Sequence, residues 1–99
     1  MIRHIVMWNW KEELSEQERI ENGLRVKNEL EALSQTIPGV VSLEFVTATE
    51  DSSNRHVVLN SLFSDGEALA NYQVHPDHVK AGQFIKTVLT DRICADYQE

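Results

Sequence analysis

The order of strand and helix patterns along the chain is the feature that most constrains its fold. The first segment, from Ile2 to Trp10, is almost entirely apolar and rich in β-branched and aromatic residues, which predicts a central strand. Further strands are predicted at residues 41–47, 55–63 and 92–97. Helices are predicted from a capping box at Ser15 to about Ser34, from a second box at Ser64 through Tyr72, and from Pro76 onward. The last two helices follow each other without a strand between them, and together they fill the second helical position of a β-α-β-β-α-β order. This order predicts a ferredoxin-like α+β fold, a four-stranded antiparallel sheet with its helices on one face.

Helices on one face leave the other face of this sheet uncovered. The predicted first and third strands carry apolar residues on both faces, so something outside the chain is expected to bury the second face. A homodimer that packs sheet against sheet is the simplest solution. Within the chain, the apolar stripe of the first helix is predicted to be Ile20, Leu24, Leu30, Leu33 and Ile37.

Length and charge exclude several classes of protein. The 99 residues, 1–99, are expected to form a single domain, and the net charge of −7 with no cluster of Lys or Arg argues against nucleic acid and anionic membranes as partners. No apolar run approaches the ~20 residues that a membrane span needs, so a cytoplasmic location is expected. The single cysteine, Cys94, excludes a disulfide framework and is predicted to be a buried, inert thiol.

The segment from Tyr72 to His78 carries the strongest signal for chemistry. His78 falls in the first turn of the helix that starts at Pro76, where the helix dipole favours neutral imidazole, a form that can act as a base. The carboxylate of the adjacent Asp77 has the opposite effect, because it favours the protonated imidazole and so raises the pKa of His78. Tyr72 closes the preceding helix, where its hydroxyl could donate a hydrogen bond to a carbonyl; a core tyrosine is the alternative.

Residues on two strands are candidates for the lining of a ligand cavity between sheet and helices. On the first strand these are His4, Val6 and Trp8. On the third strand they are His56, Val58 and Asn60, which share one face. The alternative is that both strand histidines are buried, hydrogen-bonded structural groups.

No metal or cofactor is expected. His75 and His78 are separated by a proline break and lack a third ligand fixed by spacing, and no phosphate-binding loop is visible. A weaker hypothesis is a haem-degrading or oxygen-using enzyme, because Asn9, Trp8 and His78 superficially resemble residues in the sites of such enzymes.

Four segments of the sequence resemble the stress-responsive A/B barrel domain family, also called Dabb. They are Ile2–Met7, Ile37–Val40, Tyr72–Val79, and the ending formed by Asp91–Ile93 with Asp96–Tyr97. The resemblance covers essentially the whole chain and implies a dimeric α+β barrel, in agreement with the uncovered sheet face.

One plant branch of that family is similar to polyketide cyclases, which close poly-β-keto thioesters by an aldol reaction without metal or cofactor. Its tyrosine and histidine match Tyr72 and His78, and its strand histidines match His4 and His56. The resemblance implies that His78 takes an acidic proton from a small apolar or carbonyl-bearing ligand while Tyr72 holds the carbonyl oxygen. On the first helix, that branch carries aromatic side chains that wrap an alkyl tail, and here these are replaced by Gly23, Leu24 and Lys27. This difference predicts a different substrate. The competing hypothesis is a non-catalytic dimeric stress-response protein whose histidines are structural.

Overall fold

The computed structural model describes all 99 residues and confirms the ferredoxin-like fold. Its elements are β1 (Ile2–Trp10), α1 (Glu16–Ala32), a short 3-10 helix (Leu33–Gln35), β2 (Val40–Thr47), β3 (Val57–Phe63), α2 (Gly66–Val74), α3 (Pro76–Val88) and β4 (Leu89–Gln98). The antiparallel sheet has the strand order β2-β3-β1-β4. None of the helices combines the length and the apolar character that a membrane span requires.

The register between β1 and β3 decides which side chains face the helices. His4 lies opposite Ser61, and Val6 lies opposite Leu59. Residues directly opposite each other on paired strands project to the same face, so even positions of β1 share a face with odd positions of β3. Both sets are buried, whereas Ile5 and Met7 belong to the face that no helix covers.

Helix α1 follows the sequence prediction at its start but not along its apolar stripe. Ser15 and Glu18 form the expected capping box. Leu30 is 1% exposed, but Ile20 and Leu24 are 61% and 62% exposed, so the prediction that these two residues are buried is wrong. Val26 lies in the core instead, because the buried side of the helix runs through Val26 and Leu30.

Two side chains of α1 cover the free edge of β2. The Glu31 carboxylate accepts the backbone N–H of Phe45 at 2.9 Å and the Lys27 ammonium at 2.7 Å. Lys27 also donates to the carbonyl oxygen of Phe45 at 2.9 Å. An edge strand leaves its outward backbone groups without partners, and these two side chains satisfy both groups of one residue.

The turns around α2 and α3 set the position of the candidate site. The N-cap of α2 is Asp65, which accepts the N–H of Ala68, and not Ser64 as the capping-box pattern predicts. His75 ends α2 and caps α3 by accepting the N–H of Asp77, with Pro76 in the first turn as expected. Because the chain kinks at this proline, Tyr72 and His78 are brought side by side.

Strand β4 is longer than the sequence pattern indicates. It begins at Leu89, directly after α3, and pairs with β1 along its length except at an irregularity between Met7 and Asn9. Asp91 lies there with a positive φ of 55°, and its carboxylate accepts a hydrogen bond from Asn9. A bulge with one residue in the left-handed region accounts for this shift.

Candidate functional site

A cavity of about 150 Å³ lies between the helices and the sheet. Side chains of β1, α2 and α3 line it, together with residues from β3, β4 and α1. The lining residues are His4, Val6, Trp8, Leu30, Leu59, Tyr72, His78, Gly82, Ile85, Lys86 and Arg92. The walls are therefore apolar around a few polar groups, which is the usual composition of a site for a small organic molecule.

Tyr72 lines this cavity and carries a hydroxyl group without a hydrogen-bond partner. The residue is 1% exposed, and its hydroxyl oxygen is the one buried side-chain polar atom without a hydrogen-bond partner. Burial raises the pKa of Tyr72 far above its ordinary value, against a smaller lowering by Arg92, so the hydroxyl keeps its proton. It is a donor that no group of the protein uses.

His78 stacks beside this tyrosine as a neutral base. The two ring centroids are 4.3 Å apart at an interplanar angle of 47°. The Nδ1 atom lies 3.2 Å from the carbonyl oxygen of Gln73, which can only accept, so the ring proton is on Nδ1 and Nε2 carries a lone pair. Burial lowers the pKa of His78; the bond to Gln73 opposes this, and nearby positive charge, including Arg92, adds to it.

His4 lines the cavity from β1 and is positioned by Asp96, a residue outside the cavity lining. Its residue is 3% exposed, and its Nδ1 atom contacts a carboxylate oxygen of Asp96 on the neighbouring strand. Its ring meets the ring of Tyr72 edge to face, with centroids 6.5 Å apart. The structure thus brings His4, Tyr72 and His78 to one cavity.

The remaining predicted residues divide between the two faces of the sheet. Val6 and Trp8 line the cavity with His4. Val58 and Asn60 project to the opposite face, since they lie between the buried positions of β3. The expectation that they line the cavity does not match this placement, because the antiparallel register pairs even positions of β1 with odd positions of β3.

His56 is also outside the cavity. It is exposed just before β3, where its Nδ1 atom accepts the backbone N–H of Trp10 at 2.9 Å. It borders a separate, open recess with Arg19 and Arg55. Asn9 likewise points away from the cavity and bonds to Asp91, so it does not meet Trp8 and His78 as the oxygen-using hypothesis requires.

Comparison with known families supports the resemblance seen in the sequence. Residues 2–99 match the model of the stress-responsive A/B barrel domain. The chain belongs to this family.

Solved structures similar to this A/B barrel domain differ in what they are described as doing. A dimeric protein of unknown function from Bacteroides fragilis has a TM-score of 0.91 and 24% identity over 99% of this chain and 95% of its own. The hydroxynitrile lyase from Passiflora edulis has a TM-score of 0.78 and 16% identity over 97% and 90%. A putative antibiotic biosynthesis monooxygenase from Nitrosomonas europaea has a TM-score of 0.78 and 13% identity over 100% and 98%. No curated protein sequence matches the chain. At these identities the likeness establishes the shared fold alone.

Six cavity residues of the A/B barrel domain were not among the site residues predicted from the sequence: Leu30, Leu59, Gly82, Ile85, Lys86 and Arg92. Gly82 and Lys86 lie about one turn apart on α3, so their spacing places them on the same side of this helix. The sequence does not show that this side faces the cavity. Arg92 enters from β4 directly after the bulge, and no pattern in the sequence indicates this.

The prediction for Cys94 is wrong. The thiol is exposed on β4, 3.6 Å from Nδ1 of His4 and 3.5 Å from a carboxylate oxygen of Asp96. Burial and the Asp96 carboxylate raise the pKa of Cys94, whereas Arg92 opposes them. Side chains of three types that bind metals therefore meet beside the cavity.

Proposed function

We propose that this A/B barrel domain binds a small carbonyl compound and catalyses proton transfer at the carbon next to the carbonyl, without a cofactor. One observation carries the proposal: Tyr72, whose buried hydroxyl donor has no partner, and the neutral imidazole of His78 lie side by side in the lining of one cavity. An unpaired buried donor costs folding free energy, and a carbonyl ligand would supply the missing acceptor.

The two side chains have complementary roles in this reaction. The lone pair on Nε2 of His78 takes the proton from carbon, because Nδ1 is already committed to the carbonyl of Gln73. The hydroxyl of Tyr72 donates to the substrate oxygen, on which negative charge develops as the proton leaves. Lys86 and Arg92 place positive charge at the same cavity and favour that enolate.

The size of the cavity limits the substrate. A volume of about 150 Å³ is below the roughly 300–1,000 Å³ of drug-sized sites and similar to a cavity that accommodates benzene. The plant polyketide cyclases that the sequence resembles act on longer chains. We therefore place the substrate of this domain among compact ketones and 1,3-dicarbonyl compounds.

We further propose that the domain acts as a homodimer joined through the uncovered sheet face. Apolar side chains from the three strands β1, β3 and β4 form the centre of that face: Ile5, Met7, Val58, Leu62, Ile93 and Ala95. The similar protein from Bacteroides fragilis is described as dimeric. Sedimentation equilibrium should give twice the chain mass, and Met7→Lys should shift the species toward monomer because it introduces a charge into this apolar centre. A wild-type monomer at micromolar concentration would exclude this interface.

Exchange of α-protons for deuterium in cyclohexanone, followed by proton NMR, tests the proposed reaction directly. Wild-type protein should accelerate the exchange above buffer. His78→Gln should lower the protein-dependent rate by roughly 10²- to 10⁴-fold, the usual contribution of a general base. Tyr72→Phe should lower it by roughly 10²- to 10³-fold, as for loss of one oxyanion donor.

Two control variants separate chemistry from folding. His75→Asn changes a histidine outside the cavity and keeps a side chain that can cap α3. Tyr97→Phe removes a hydroxyl from a tyrosine that is 49% exposed. Both should exchange protons at the wild-type rate. Ligand-dependent stabilisation without faster exchange would refute the catalytic proposal and favour the non-catalytic stress-response protein.

A further inference from the structure

The juxtaposition of His4, Cys94 and Asp96 follows from the pairing of β1 with β4. His4 lies directly opposite Asp96, and Cys94 precedes Asp96 by two positions on the same face. The three potential ligand atoms lie within 4.8 Å of one another. This face of β4 is the helix-side face, so a dimer joined through the opposite sheet face leaves the cluster open.

The spacing of these atoms suits a tetrahedral metal ion. In a tetrahedral Zn²⁺ site, bond lengths of about 2.3 Å to sulfur and about 2.1 Å to nitrogen or oxygen place the sulfur about 3.6 Å from each of the other ligands. The Cys94 sulfur is 3.6 Å from Nδ1 of His4 and 3.5 Å from the carboxylate oxygen of Asp96. Two of the three edges therefore already have the required length.

The third edge joins Nδ1 of His4 to the carboxylate oxygen of Asp96, and these two atoms are hydrogen-bonded to each other. A metal ion would replace the proton shared by His4 and Asp96 and the thiol proton of Cys94, and both protons would pass to solvent. The ligand atoms of His4 and Asp96 would then separate to about 3.4 Å. The Asp96 side chain is 39% exposed and free to make this movement, whereas the buried His4 ring is fixed by its neighbours. A movement of the exposed carboxylate alone would therefore form the site without rearrangement of the sheet.

We propose that His4, Cys94 and Asp96 form a Zn²⁺ site with three protein ligands and one open coordination position. The mixture of imidazole nitrogen, thiolate sulfur and carboxylate oxygen is a donor set that zinc accepts and that magnesium and calcium do not select. This site departs from the expectation that the chain binds no metal, because strand pairing, which the sequence does not reveal, brings the three residues together.

Zinc at this site would also change the hydrogen-bonding character of the cavity. Without metal, Nδ1 of His4 contacts the carboxylate of Asp96, and Nε2 makes no hydrogen bond within the chain. With a metal on Nδ1, the ring proton must lie on Nε2, so His4 becomes a donor on that side. The metal site itself does not depend on the proposed proton-transfer function.

Titration of the metal-free full-length chain with Zn²⁺ by calorimetry, and with Co²⁺ by absorption spectroscopy, tests this site. Wild-type protein should bind one ion per chain, and Co²⁺ should show a thiolate charge-transfer band with intense tetrahedral visible bands. Cys94→Ser should abolish the charge-transfer band. Cys94→Ser and Asp96→Asn should each weaken Zn²⁺ binding by at least about tenfold, since each removes or neutralises one ligand.

Asp77→Asn is the matched control, because Asp77 also neighbours a histidine, with 3.9 Å between its carboxylate and Nδ1 of His75. It should bind Zn²⁺ as wild type does. The proposal is overturned if wild-type Co²⁺ spectra lack the thiolate band, or if Zn²⁺ affinity is unchanged in both ligand variants. An equal loss of affinity in Asp77→Asn and Asp96→Asn would also overturn it. Far-ultraviolet circular dichroism should match for all variants, which change exposed or partly exposed side chains.

Discussion

Replacement of Tyr72 by phenylalanine should stabilise the ligand-free protein while it weakens the site. The substitution removes one oxygen atom whose residue is 1% exposed and which has no hydrogen-bond partner. An unsatisfied buried donor costs about 1–3 kcal/mol, and the dispersion attraction that the oxygen atom makes with its surroundings offsets part of this gain. We therefore expect the free energy of unfolding to rise by about 1–2 kcal/mol.

The same variant should lose about a third of the stabilisation that a carbonyl ligand gives. A ligand that binds only the folded chain adds about 2.7 kcal/mol at 100 times its dissociation constant. Loss of a neutral hydrogen bond worth about 1 kcal/mol weakens binding roughly fivefold and reduces this increment accordingly. Stability and ligand response should thus change in opposite directions.

Urea unfolding and thermal melts of wild type, Tyr72→Phe and Tyr97→Phe, with and without cyclohexanone, measure both effects. All samples need the same chain concentration, because a dimer melts in a concentration-dependent way. A rise of about 4–8 °C in Tm is expected for each kcal/mol, with Tyr97→Phe within about 0.5 kcal/mol of wild type. A loss of about 1 kcal/mol or more in Tyr72→Phe would show that the hydroxyl is satisfied in solution and would refute the reasoning.

Three further predictions test local features of the fold. Gly39→Ala should cost at least about 2 kcal/mol in urea unfolding, because φ is 84° and the added Cβ would lie 2.5 Å from Cβ of Ala68. Gly82→Ala, whose Cβ meets no atom within 4 Å, should instead gain about 0.5–1 kcal/mol; equal effects of the two changes would contradict this account. Glu31→Ala should cost about 1 kcal/mol by removing the acceptor at the sheet edge, and an unchanged urea midpoint would exclude that role. Burial lowers the pKa of His78, so the unfolded chain binds the proton more readily than the folded chain does. The free energy of unfolding should therefore fall as the pH drops below about 6.5. His78→Gln should flatten this fall, and an identical slope in wild type and variant would contradict the account.

The fold could be predicted from the sequence because its determinants are local. Ser15 with Glu18 starts α1, Pro76 starts α3, and the apolar Ile2–Trp10 segment defines β1. The order of such elements restricts the topology to very few arrangements. The exposed positions of Ile20 and Leu24 could not be predicted, since an apolar residue on a helix does not reveal whether the sheet extends beneath it.

The candidate site could be predicted only where local chain geometry creates it. Tyr72 and His78 lie together because α2 ends and α3 begins between them, and both events are visible as His75-Pro76. Assignment of strand residues requires the register, and a shift of one residue exchanges the two faces. His4 pairs with Ser61, so Asn60 faces away from the cavity although its spacing from neighbouring residues suits a lining position.

The bulge in β4 shows how a single backbone irregularity adds chemistry that no local pattern predicts. Asp91 adopts a φ of 55° between two stretches of regular pairing with β1, and the extra residue changes which side chains of β4 face the helices. Beyond the bulge, Arg92 reaches the cavity, and Cys94 and Asp96 meet His4. The positive charge beside Tyr72 and the three potential metal ligands therefore depend on the same strand pairing, which becomes apparent only when both strands are seen together.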